Sequence, residues 1–145
     1  MIQLVYLAVS LIAGAGGAVQ AGVNASLGRI VGVAEATLVS VTGTWLSIVV
    51  LLLIGFRSGH LDQVTTAPAY LLIGGIFGTV ILLTAAQSVP VIGVAAFSSA
   101  LIAGQLVMSV VLDQIGAFGH PSHPLDAGRL VGVALLLVGM KLVLR

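Results

Sequence analysis

The chain contains five apolar segments, each about as long as a bilayer is thick, and most of its charged residues fall between them. A helix needs about 20 mostly apolar residues to cross the hydrocarbon core of a membrane. The segments cover residues 4–27, 36–56, 68–88, 92–112 and 126–144. This pattern predicts an all-α integral membrane protein, in which residues 1–145 form one domain, a bundle of five transmembrane helices.

The composition supports the same class. Charged residues make up 6% of the chain, against about 25% in a soluble domain. Too few polar side chains are therefore present to cover a globule, and the mean hydropathy is +1.27. The 19 glycines are typical of packed membrane helices. The first segment lacks a basic leader and is too long for a signal-peptide core, so we expect it to be a retained helix.

Several function classes are disfavoured. The net charge of +1 argues against a nucleic acid partner. The chain has no cysteine, so thiolate metal sites are excluded. It carries no nucleophile–base arrangement, phosphate loop or zinc signature. We therefore expect no enzymatic activity, no cofactor and no bound metal.

An odd number of spans would place the two termini on opposite sides of the membrane. The side of the N-terminus would carry Arg57 and Arg129, and the other side Arg29, Lys141 and Arg145. Since orientation follows the Lys/Arg bias of short loops, this near balance gives only a weak preference for a cytoplasmic C-terminus. Two interpretations stay open. The chain inserts in both orientations and pairs with an inverted copy, or a partner or the insertion machinery sets one orientation.

The first segment has a narrow face of small residues with an amide on it. This small-residue face consists of Gly14, Gly17, Ala21, Asn24 and Gly28, spaced 3, 4, 3 and 4. Gln20 lies one turn before Asn24. Lipid cannot satisfy the hydrogen bonds of these amides, so the face is expected to point into protein or a wet cavity.

The second and fourth segments also carry polar stripes. A hydroxyl stripe in the second segment consists of Thr37, Ser40, Thr44 and Ser47. Helical hydroxyls bond to carbonyls one turn back, so we interpret this stripe as mainly structural. In the fourth segment, one face carries Ser98, Gln105, Ser109 and Asp113. The fifth segment offers Gly128, Gly132 and Gly139 and is interpreted as a packing helix and dimer contact.

We expect the solute site to include Gln20, Asn24, Trp45, Gln105 and Ser109. Amides in the middle of a membrane are functional by default, although hydrogen bonds between helices explain them equally well. Trp45 lies near the middle of its segment, where an aromatic ring can line a pocket or stack on a cation. Plain packing is the alternative for Trp45.

No carboxylate lies deep in any segment. Glu35 starts the second segment, where it favours a helix N-terminus. Asp113 ends the fourth segment and is interpreted as a solvated helix end in preference to a functional acid. The histidines His60, His120 and His123 fall in loops with no metal-site spacing and are interpreted as solvated. The sequence thus disfavours proton antiport driven by one buried acid.

The stretches "GAVQAGVNASLGR", "VPVIGVAAFSSALIAGQLVMSVVLDQIGAFG" and "LDAGRLVGVALLLVGM" resemble the YdcZ-like family, a five-helix branch of the drug/metabolite transporter superfamily. The resemblance covers nearly the whole chain. The motifs that carry it fall on Gln20 and Asn24, on Gly104, Gln105, Asp113 and Gly116, and on Arg129 and Gly132.

The resemblance implies an inner-membrane half-transporter that pairs with an inverted copy or a sister chain. The related small multidrug-resistance transporters carry a glutamate in the first helix, where this chain has Gln20 and Asn24. We expect a secondary transporter or uniporter for a small polar or amphipathic solute, working by alternating access as an antiparallel dimer in the lipid bilayer. The alternatives are a dual-topology dimeric ion channel and a non-transporting membrane subunit.

Overall fold

A computed structural model describes residues 2–56, 59–119 and 121–144. Every regular element in these ranges is helical: α1 (Ile2–Val31), α2 (Val33–Leu53), α3 (Gly74–Ile115) and α4 (Ala127–Val143). Short 3₁₀ helices cover Leu61–Thr66, Ala69–Ile73 and Ala117–Gly119. The all-α class is therefore confirmed for the described ranges. Arg57, His120 and Arg145, which enter the predictions above, lie outside the described residues.

The helices have the length and character of membrane spans. In the part of the chain that the structure describes, three helical segments are long and apolar enough to cross a bilayer: Ile2–Val31, Val33–Leu53 and Ala69–Ile115. Large apolar side chains such as Leu4, Leu11 and Leu38 are exposed on α1 and α2. In a membrane these side chains face acyl chains, which solvate them as well as a protein core would. The chain is a membrane protein.

Helix α3 is interrupted by one residue. Gly93 has φ 82° and ψ 161°, which separates residues 74–92 from residues 94–115. Pro90 lies inside the helix, three residues earlier. Proline removes one backbone donor but keeps a helical φ, so the chain stays helical past it. The backbone leaves helical geometry only at Gly93, in a region of φ and ψ that is essentially restricted to glycine.

The chain divides into two compact units, residues 1–91 and residues 92–145. In the first unit α1 packs on α2. The buried apolar residues of this unit are small, with one exception, and consist of Ala21, Ala25, Ala36, Ala85, Ala86 and Val89. Small side chains let helix backbones approach closely, and in a membrane this close packing replaces the hydrophobic effect as the force between helices.

In the second unit, α4 begins at a side-chain cap. Asp126 precedes the helix in extended geometry, and its Oδ1 accepts a hydrogen bond from the backbone N–H of Arg129 at 2.8 Å. Such a cap satisfies one of the four N–H groups that a helix start leaves without a partner. Lys141 lies in the last turn of α4, where its charge complements the negative end of the helix dipole.

Candidate functional site

Asn24 is the most enclosed polar side chain in the described part of the first unit. It lies on α1 and is 1% exposed. Ser40 on α2 donates a hydrogen bond from its Oγ to the Asn24 Oδ1. The Asn24 Nδ2 is buried and has no hydrogen-bond partner among the described residues. A buried donor without an acceptor is uncommon in folded proteins and calls for a structural or functional explanation.

The backbone at Gly32 explains how Asn24 meets Ser40. Gly32 is the only residue between α1 and α2. Its φ of 104° and ψ of 154° form a backbone conformation that residues other than glycine rarely adopt. The chain turns back here, so that residue 24 meets residue 40 and Gly28 meets Ala36. A Cβ built on Gly28 would lie 3.9 Å from the Ala36 Cβ and 3.4 Å from the Ala86 Cβ on α3. Close packing of small residues thus encloses the amide.

Three members of the hydroxyl stripe bond to their own helix. The hydroxyls of Thr37, Thr44 and Ser47 donate to the carbonyl oxygens of Val33, Ser40 and Gly43, at 2.9, 3.0 and 2.8 Å. Their geometry agrees with the structural interpretation of the stripe. Ser40 differs, because its hydroxyl crosses to α1. The four hydroxyls share one helix face at spacings of 3, 4 and 3, and nothing in this pattern distinguishes Ser40 from the other three.

The other predicted site residues of the first unit are exposed. Gln20 lies one turn before Asn24 on α1, and its side chain makes no hydrogen bond to a described residue. Trp45 on α2 is 60% exposed. The structure of a single chain therefore joins Asn24 to Ser40 but does not bring Gln20 or Trp45 into polar contact with them.

Gln105 and Ser109 lie in the second unit, on the part of α3 that covers residues 94–115. Both are exposed. The Ser109 hydroxyl donates to the carbonyl oxygen of Leu106 at 2.8 Å, within its own helix. Their role as solute contacts stays a prediction.

Asp113, near the C-terminal end of α3, and Arg129, in the first turn of α4, form an ion pair. The Arg129 Nη1 lies 3.3 Å from the Asp113 Oδ2, and the same nitrogen donates to the carbonyl oxygen of His123 at 3.3 Å. The two side chains are 47% and 33% exposed. A pair this accessible is worth only about 0–1 kcal/mol. Asp113 is therefore a half-exposed helix end with a cationic partner 16 residues away along the chain.

The loop before α4 is held by two further hydrogen bonds. The Gln114 Oε1 accepts from the backbone N–H of Leu125 at 2.6 Å. The carbonyl oxygen of Asp113 accepts from the backbone N–H of His123 at 2.9 Å. The backbone of His123 is thus hydrogen-bonded to the C-terminal end of α3. Within the described ranges, no group of three His, Cys, Asp or Glu residues is placed to hold a metal ion.

Described residues line an open cavity in each of the two units. The first has a volume of about 730 Å³ at the end of α2 and is lined by Ile48, Leu52, Phe56, Gly59, His60, Leu61 and Asp62. The second has a volume of about 220 Å³ and lies between α3 and α4, lined by Ser99, Ile102, Ala103, Leu136, Gly139, Met140 and Val143. Neither includes a predicted site residue.

Fold and site together define a helical membrane protein with an amide enclosed between its first two helices. A comparison with family models identifies the particular group. The family described as "Putative inner membrane exporter, YdcZ" matches residues 5–142. The chain therefore belongs to the YdcZ family of the drug/metabolite transporter type, as its motifs predicted. No curated protein and no solved structure matches the sequence.

Proposed function

We propose that the protein is an inner-membrane transporter that exports a small polar or amphipathic solute by alternating access, as a dimer of inverted copies. The observation that carries the proposal is membership, over residues 5–142, of a family described as inner-membrane exporters. The enclosed Asn24, whose Nδ2 has no partner among the described residues, supports it, because polar side chains inside a membrane commonly mark solute paths. The proposal assigns the chain no catalytic chemistry and no cofactor.

The bundle is proposed to have five spans. The segment Ala69–Ile115 has 47 residues, and as a straight helix it would extend about 70 Å, more than twice the hydrocarbon core. The break at Gly93 supports a division into two crossings. Helix α4 has 17 residues, the lower limit for a span.

The dimer is proposed to be antiparallel because the loop charges nearly balance. Two basic residues would lie on the N-terminal side and three on the other. Accessibility tags placed at each terminus in turn measure the orientation of chains in intact cells. Two populations for each tag are expected. A single population in cells that express only this chain would exclude the inverted homodimer.

The solute site is proposed to combine Gln20, Asn24, Trp45, Gln105 and Ser109 from both copies. Amides both donate and accept hydrogen bonds without fixing a charge, which suits a neutral or amphipathic solute. The five predicted spans contain no carboxylate away from their ends, so the proposal does not include proton coupling through a buried acid.

Replacement of Gln20 by alanine is expected to lower solute flux about fivefold, because a neutral hydrogen bond is worth about 1 kcal/mol. Saturable uptake of labelled metabolites into liposomes that contain the purified protein gives the measurement. Gln63→Ala is the matched control, since Gln63 is exposed in the 3₁₀ helix Leu61–Thr66. Equal flux for Gln20→Ala and the wild type would remove Gln20 from the site.

A further inference from the structure

Asn24 is the one asparagine of the chain. A primary amide carries two N–H donors on one atom and an acceptor oxygen on the other. The oxygen accepts from Ser40, whereas the nitrogen is buried without a partner among the described residues. The amide oxygen of Asn24 therefore has a hydrogen-bond partner and the amide nitrogen has none among the described residues, and the partner of the oxygen is Ser40.

Ser40 differs from the other three members of the hydroxyl stripe because its hydroxyl does not donate to a carbonyl oxygen of its own helix. Thr37, Thr44 and Ser47 each donate to a carbonyl oxygen four residues earlier. The corresponding acceptor for Ser40 is the carbonyl oxygen of Ala36, but its hydroxyl donates to Asn24 instead. Rotation of an amide about its last torsion is otherwise broad and roughly two-fold. In the structure the Ser40 hydroxyl bonds the amide oxygen, which leaves the amide nitrogen without a partner among the described residues.

Among the described residues, no acceptor is hydrogen-bonded to the Asn24 Nδ2. The buried residues nearest in sequence to Asn24 and Ser40 are Ala21, Ala25 and Ala36, which have no polar side-chain atoms. Thr37 is also buried, and its hydroxyl already donates to the carbonyl oxygen of Val33. The N–H groups of the Asn24 amide are thus available to an acceptor from outside the α1–α2 contact.

We propose that Ser40 is a positioning residue for transport: it orients Asn24 so that the Nδ2 donates a hydrogen bond to an acceptor oxygen of the solute. This inference rests on the proposed transport function and narrows its solute to compounds with a carbonyl, carboxylate or hydroxyl oxygen. Because Asn24 is 1% exposed, the proposal requires that residues other than Ser40 move away from the amide nitrogen to admit the solute, while the contact between Asn24 and Ser40 is kept.

The first test observes the amide directly. Because the chain has one asparagine, labelling with ¹⁵N-asparagine gives the pair of signals from one side-chain NH₂ group, that of Asn24, in protein held in nanodiscs. The wild type is expected to show one rigid amide, and Ser40→Ala to show an averaged amide with faster hydrogen exchange. Ser40→Thr keeps a hydroxyl and should retain the rigid signal. Ser47→Ala is the matched control, because the Ser47 hydroxyl donates to Gly43 within α2.

Three probes then test the class of solute: nicotinamide and mannitol, which have acceptor oxygens, and tetraethylammonium, which has none. Nicotinamide or mannitol is expected to shift the Asn24 amide signal, and tetraethylammonium is not. For the oxygen-bearing probe that is transported, Ser40→Ala should raise the KM about fivefold at unchanged kcat. Ser47→Ala should leave both constants unchanged.

The outcomes separate the two proposals. An unchanged amide signal in Ser40→Ala overturns the positioning role. An equal shift with tetraethylammonium, or unaltered flux in Ser40→Ala, overturns the role of Asn24 as donor to the solute. Wild-type protein that transports none of a broad solute panel overturns the proposed function, whereas the amide signals of Ser40→Ala and Ser47→Ala still decide whether Ser40 orients Asn24.

Discussion

Replacement of Gly28 by leucine is expected to destabilise the first unit by about 1–3 kcal/mol, the usual cost of overpacking a tight contact. A Cβ at this position would already touch Ala86 at 3.4 Å and Ala36 at 3.9 Å. Ala36 is 0% exposed, so neighbouring residues enclose it on all sides. The three further carbons of leucine would crowd this contact of α1 with Ala36 and Ala86.

Trp45 is the single tryptophan of the chain and lies on α2. Its fluorescence during denaturation in mixed micelles therefore follows the unit that contains Gly28. Gly28→Ala should change stability little, because its Cβ would be within ordinary contact distance. Gly14→Leu is the second control, since no atom lies within 4 Å of a Cβ at position 14. A denaturation midpoint of Gly28→Leu equal to that of Gly14→Leu would contradict the close packing of α1.

Replacement of Gly93 by alanine is expected to cost about 1–3 kcal/mol through backbone strain alone. No atom lies within 4 Å of a Cβ at this position, so steric crowding by neighbours does not contribute. The cause is the backbone itself, whose φ of 82° and ψ of 161° an L-residue rarely adopts. Alanine would favour either a continuous helix or a shifted break.

The loss of stability can be measured by denaturation in mixed micelles, with helix content followed by circular dichroism. Gly78→Ala is the matched control in α3, because Gly78 lies in a regular helical turn and is also free of neighbours. It should be neutral or stabilising by up to about 1 kcal/mol, since alanine has the higher helix propensity. If both variants gained stability alike, the break at Gly93 would not be required by the fold.

The helical class and the membrane environment were predictable because they depend on composition and on the length of apolar runs. The end of a helix depends on the backbone conformation of single residues. Pro90 is the stronger turn signal in the sequence, yet the chain remains helical through it and breaks at Gly93. A proline near a helix end removes only one donor, whereas a glycine with positive φ cannot continue the helix.

The hydrogen-bond and ion-pair partners of individual side chains are harder to predict from the sequence. Asn24 was identified as an inward-facing amide from its place on the small-residue face, and it is buried. Its partner Ser40 is one of four hydroxyls on the same helix face, and only the turn at Gly32 brings it opposite Asn24. The pairing of Asp113 with Arg129 likewise depends on the course of the intervening loop, which no periodic pattern encodes.

The single-residue junction at Gly32 makes α1 a lever with its pivot at one end. Asn24 lies eight residues from the pivot, about 12 Å along the helix axis, and Ile2 lies about 45 Å away. A rigid rotation that moves Asn24 by about 1 Å would sweep the far end of α1 through nearly 4 Å. A small rotation of α1 about Gly32 would thus displace the end of the helix at the opposite side of the membrane several times further than it displaces Asn24.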